Sequence, residues 1–161
     1  MTALLSVEKL AIGFGAADDV VNDVSFSVAK GETLAIVGES GSGKTLTCRS
    51  VLRILPGAAQ LRRGKILFGP DQVDLLRLSG RKLRAVRGDR ISMIFQEPMR
   101  SLSPLHRMGN QVGEVLNLHG STSSSETRKR VLETFEQVGF PDPERAYKAY
   151  PFEMSGCASA Q

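Results

Sequence analysis

Thr33-Leu34-Ala35-Ile36-Val37 runs directly into Gly38-Glu39-Ser40-Gly41-Ser42-Gly43-Lys44-Thr45, and this junction decides the fold. Residues 33–37 are apolar without alternation, the pattern of a strand covered on both faces in a parallel sheet. Residues 38–45 satisfy G-x-x-x-x-G-K-[ST], and a helical pattern continues from Thr45 to Leu55. A Gly-rich loop between such a strand and helix turns successive N–H groups inward as a nest. Glycine lets the backbone approach phosphate oxygens closely, and the helix N-terminus adds a favourable dipole. Gly38, Glu39, Ser40, Gly41, Ser42, Gly43, Lys44 and Thr45 are therefore candidate phosphate ligands. Lys44 is expected on the β- and γ-phosphates of a nucleotide, and the Thr45 hydroxyl on Mg²⁺. A Gly/Ser-rich turn carrying an incidental lysine is the bland competitor, and the strand before and helix after weigh against it. A dinucleotide fingerprint on Gly41-x-Gly43 needs a third small residue at position 46, where Leu46 stands.

Upstream of the junction, Leu5 and Val7 alternate with polar neighbours, as do Val24, Phe26 and Val28, which predicts half-buried antiparallel strands. Downstream, Lys65-Ile66-Leu67-Phe68 predicts a short strand and Ser79 caps a basic helix. Ile91-Ser92-Met93-Ile94-Phe95 predicts a second apolar strand, ending at Gln96-Glu97-Pro98. The character then changes. Met108, Val112, Val115 and Leu116 trace one helical apolar stripe, and Val131, Leu132, Phe135 and Val138 another. Ser123-x-x-Glu126 reads as a capping box for the second helix and Gly139 as its stop. Residues 1–96 are thus expected to form an α/β core, and 97–161 an all-helical portion.

At 161 residues, 41% hydrophobic and 24% charged, the chain reads as soluble and globular rather than disordered or collagen-like. No apolar run approaches the roughly 18–20 residues of a membrane span. The start, MTALLSVEKL, shows no secretory or transit pattern, so a cytoplasmic location is expected. Cys48 and Cys157 match no metal or redox spacing. Twenty-one Lys and Arg against 17 Asp and Glu leave a net +4, with the excess between Arg77 and Arg90. No aromatics interleave with that cluster, so it reads as a solvated helix face and no nucleic-acid partner is expected.

Three separated stretches, VSFSVAKGETLAIVGESGSGKT, ISMIFQEPMRSLSPLHRMG and PDPERAYKAYPFEMSG, resemble in content and order the ATP-binding subunits of ABC transporters, especially oligopeptide, dipeptide and nickel importers. The resemblance spans the whole chain. It implies a P-loop NTPase core of the ABC ATPase type, with an N-terminal antiparallel β portion and an inserted all-helical subdomain. It implies ATP and Mg²⁺ as ligands. It also implies that Gln96 is the Q-loop glutamine contacting Mg²⁺ and the attacking water, and that Phe14 is the aromatic stacking on adenine. Read from the residues alone, a polar strand end is the lesser alternative for Gln96, whereas a core phenylalanine at a strand edge is as good a reading of Phe14. The implied partners are two membrane permease subunits and a second ATP-binding subunit in a head-to-tail dimer, at the inner face of the membrane. Exposed residues near Ser101 to Met108 are the candidate permease contacts.

The family's signature opens Ser-Gly-Gly, whereas this chain has Ser155-Gly156-Cys157. Ser155 and Gly156 are the implied contacts to the γ-phosphate held by the opposite subunit. Family members commonly continue Met-Arg-Gln-Arg, encodable as ATG CGC CAG CGC. Shifted by one base this reads Cys-Ala-Ser-Ala, the residues at 157–160, so an out-of-frame tail is expected. The Walker B aspartate, catalytic glutamate, D-loop and switch histidine lie further downstream in the family. The expectation is a truncated chain, lacking the C-terminal part of the core sheet, that binds MgATP without hydrolysing it efficiently and leaves an apolar face uncovered. A non-transport ABC-type ATPase and a non-catalytic product acting only by partner binding are the alternatives.

Overall fold

The structure, a computed structural model, describes residues 3–97, 101–120 and 123–154, with His119 described by its backbone alone. The chain divides into two compact units, residues 1–87 and 88–161. The change of composition expected at 96/97 falls inside the second.

In the first unit, β1 (Leu5–Phe14), β2 (Asp19–Val28), β3 (Ala59–Phe68) and β4 (Val73–Asp74) form one antiparallel sheet in the order β2-β1-β3-β4. The alternation seen in the sequence sets the pairing: Val7 stands opposite Phe26 on one side and Ile66 on the other. Both registers shift next to Lys9, and here Lys9 and Asp23 adopt φ of 46° and 52°. Such bulges bend the strands and re-aim side chains. Beyond this point Leu10, Ala11, Ile12 and Gly13 are all buried, so the central strand is covered on both faces. Val7, Leu10, Ile12, Val21, Ile66 and Leu75 make the core. α1 (Lys44–Val51) and α2 (Gly80–Val86) complete the unit. On α2, Leu83 is buried while Arg81, Lys82 and Arg84 face solvent, the solvated basic face expected.

The two apolar strands expected at Thr33–Val37 and Ile91–Phe95 need correction. Neither belongs to the sheet, and Val37 and Ile94 are 88% and 92% exposed. An apolar strand without alternation is stable only with neighbours and cover on both faces. Among the described residues the strands that form pair with one another and leave none for these segments.

The second unit holds α3 (Met108–His119), α4 (Ser124–Gln137), α5 (Pro143–Lys148) and α6 (Pro151–Met154). Val131, Phe135 and Ala146 are its core, with Met108, Val112, Leu116, Phe140 and Tyr147 packed against them. Val115 and Val138, counted in the apolar stripes, stay 51% and 66% exposed. Ser123 Oγ accepts from the Glu126 N–H at 3.2 Å, one half of the expected box, while the Glu126 carboxylate instead pairs with Arg130 at 3.0 Å. At the other end Gly139 takes φ 85°. Gly139 N–H donates to Glu136 O and Phe140 N–H to Phe135 O, both at 3.0 Å. The Phe135 and Phe140 rings meet edge to face at 5.2 Å, which closes a Schellman motif with its hydrophobic contact.

Candidate nucleotide site

Gly43 begins α1 with φ 83°, a left-handed conformation that costs a residue with a Cβ about 1–2 kcal/mol. A Cβ there would lie 2.6 Å from Val21 Cγ2 and 3.1 Å from Val20 O, so glycine is required by contact as well as by dihedral. Val20 and Val21 belong to β2, so the loop's last glycine rests directly on the sheet. Thr47, Ser50 and Val51, at i, i+3 and i+4, turn the buried face of α1 inward.

The far end of the helix is fixed by two arginines. Arg53, at φ 52°, donates its N–H to Ser50 O at 2.9 Å, and Ile54 N–H donates to Arg49 O at 3.1 Å. The Arg87 guanidinium donates to Leu52 O at 2.8 and 2.5 Å and to Arg53 O at 3.0 Å. A cation on the last carbonyls of a helix satisfies orphan acceptors and suits the dipole.

At the N-terminus, Gly43 offers no side-chain cap and the first turn carries no acidic residue. The first-turn amides are therefore left for an anion. Lys44 Nζ donates to Gly38 O at 2.7 Å, to Glu39 O at 2.6 Å and to Ser42 Oγ at 3.3 Å, which holds a positive charge over the loop. Residues Gly38 to Ser42 and Thr45 are exposed. Open amides, a cation and glycines at the approach fit a phosphate group. The Thr45 hydroxyl is an oxygen donor of the kind a hard cation takes.

Phe14 ends β1 opposite Ala59 and is half-buried. It lies two residues beyond Ile12, whose partner is the Val21 that seats Gly43. The β1–β2 hairpin therefore carries both the phosphate loop and the candidate stacking ring. Gln96 lies in the second unit, exposed and outside any ladder. Ser155 and Gly156 lie outside the described residues. Sequence reading missed Val21 and Arg87, which act from distant positions through contacts with no local signature.

This fold is that of ABC ATPase cassettes. The solved MJ0796, a bacterial ABC transporter cassette described as dimeric, superposes with a TM-score of 0.76 at 24% identity, covering 94% of this chain and 63% of that one. A second structure of that cassette holds ADP and Pi. Residues 21–160 match the family described as ABC transporter, and the chain belongs to that family. Peptidoglycan transport ATP-binding protein YejF of Agrobacterium fabrum is 52% identical over 157 residues, covering 95% of this chain and 28% of that protein. Dipeptide transport ATP-binding protein DppD of Bacillus subtilis is 45% identical over 160 residues, covering 97% and 47%. The chain thus spans less than half the length of these curated relatives. No helix of the described residues is long and apolar enough to cross a membrane.

Proposed function

We propose that this chain carries the phosphate-binding half of an ATP-binding subunit that energises ABC-type import of peptides, or nickel, across the cytoplasmic membrane. It binds MgATP and does not by itself hydrolyse it efficiently. The observation that carries this reading is the Lys44 ammonium held 2.7 and 2.6 Å from Gly38 O and Glu39 O, at the uncapped start of α1. The name of DppD, a dipeptide transport ATP-binding protein, supports the peptide reading.

Nucleotide binding exchanges the carbonyl partners of Lys44 for β- and γ-phosphate oxygens. The loop amides from Gly38 to Lys44 take the remaining phosphate oxygens, and Thr45 donates a hydroxyl oxygen to the cation. Mg²⁺, when bound with the nucleotide, neutralises phosphate charge. Phe14 stacks on adenine. Gln96 takes the sensor role toward metal and water, and Ser155 and Gly156 act in trans on the partner subunit's nucleotide. Two membrane permease subunits and a second ATP-binding subunit complete the assembly, at the inner face of the membrane and without nucleic acid. Leu105, 82% exposed among residues 101–108, is a candidate permease contact.

The test is equilibrium binding of a fluorescent ATP analogue with Mg²⁺, beside Lys44→Ala and a phosphate-release assay. Losing the charged contact is expected to weaken binding by about 10- to 100-fold, or roughly 1.5–3 kcal/mol, with no sustained phosphate release from either protein. Equal binding by parent and variant refutes the cradle. Sustained release refutes the catalytic limit.

A further inference from the structure

We infer that Arg62 is a positioning residue for nucleobase recognition: one guanidinium on β3 fixes the turn that carries Phe14. This inference rests on the reading that Phe14 stacks on adenine.

Phe14 is the first residue of that turn, and its carbonyl accepts from the Ala17 N–H at 3.1 Å. Gly15 follows at φ 53°. Phe14 sits in the ladder opposite Ala59, while the turn beyond it closes on this one backbone bond and would otherwise be free to move. Arg62 removes that freedom from the neighbouring strand. Its Nη2 donates to Gly15 O at 2.9 Å and to Ala17 O at 2.7 Å, and its Nη1 donates to Asp19 Oδ1 at 2.8 Å. Its plane lies on Gly13, where a Cβ would fall 2.6 Å from Arg62 Cζ and 2.7 Å from Nη2. One rigid fork therefore touches residues 13, 15, 17 and 19, bracketing Phe14 on both sides.

The fork suits the task better than a lysine would, because its donors are fixed in one plane and match several acceptors at once. The side chains of Arg62 and Asp19 are 32% and 21% exposed, so the ion pair is partly shielded from solvent. Alternation along β1 sends Phe14 to the face opposite Gly13. The guanidinium thus orders the backbone on either side of the half-buried ring. The phosphate loop is seated further along the same hairpin, through Gly43 on Val20 and Val21. Loosening the turn should therefore misplace the ring more than the cradle.

The experiment titrates the full chain with MgATP and with Mg-tripolyphosphate, which offers the phosphates without a base, by calorimetry. Arg62→Met is expected to weaken MgATP about tenfold, the order represented by losing one stacked base, and to leave tripolyphosphate within about twofold. Arg62→Lys keeps the charge beside Asp19 without the fork and should lose less, again for MgATP alone. Equal weakening of both ligands overturns the inference, since it marks general loosening of the unit. Unchanged affinity for both also overturns it. Phe14→Ala separates the underlying reading: if it leaves MgATP unaffected, adenine stacking itself fails. If it weakens MgATP while Arg62→Met does not, only the role of Arg62 fails.

Discussion

Substituting Gly43 by Ala strikes the joint between the phosphate loop and the sheet. Two costs follow from the structure. Holding alanine at φ 83° takes about 1–2 kcal/mol. The added methyl, 2.6 Å from Val21 Cγ2 and 3.1 Å from Val20 O, also forces a shift, because one of those atoms is backbone. Overpacking of this kind costs about 1–3 kcal/mol. The sum, roughly 2–5 kcal/mol, is a large share of the stability of an ordinary domain, about 5–15 kcal/mol. A urea melt followed by far-UV circular dichroism should show the loss, and MgATP affinity should fall with it. Val21→Ala in the Gly43→Ala background relieves the side-chain clash but not the dihedral, so the pair should couple by about 1 kcal/mol. A loss below about 1 kcal/mol, with MgATP bound as in the parent, would show that Gly43 does not rest on β2 as described.

Two further outcomes are expected. Val37→Lys and Ile94→Lys, at positions 88% and 92% exposed, should each change stability by no more than about 0.5 kcal/mol while lowering self-association and dye binding to apolar surface. Urea midpoints and light scattering check this, and a loss of several kcal/mol per site would mean that the two segments are covered. Phe140→Ala removes the edge-to-face contact with Phe135 and should destabilise the helical unit by about 2–3 kcal/mol. Amide exchange across 136–140 should accelerate in that variant, and unchanged protection there refutes the role given to the Schellman contact.

What was legible in the sequence is what closes within a few residues. The Ser123 cap and the Gly139 stop satisfy orphan N–H or C=O groups within a few residues, and the glycine-rich loop gathers Lys44 onto Gly38 O and Glu39 O, so residue types at short spacing define all three. The four-stranded sheet was legible in part: alternation announced β1, β2 and the end of β3, but not that β3 begins as early as Ala59. Arg62 and Arg87 were not legible. An arginine in a basic stretch reads as solvated, and only the fold brings the carbonyls of Gly15 and Leu52 to those two guanidinium groups.

Thr33–Val37 shows a different limit. An apolar run states what the segment requires, neighbours on both edges and cover on both faces, and says nothing about where they come from. In this structure the run has no ladder partner among the described residues, yet the loop that follows still gathers Lys44 onto Gly38 O and Glu39 O. Order in the loop must therefore enter from its other side. It enters through Gly43 on Val20 and Val21, and through α1, whose inner face is buried and whose last carbonyls Arg87 holds. The strand before a phosphate loop is what identifies it in a sequence. Here the hairpin under the helix is what holds it in place, and that is why the Gly43 substitution, made at the seat rather than in the strand, is the decisive one.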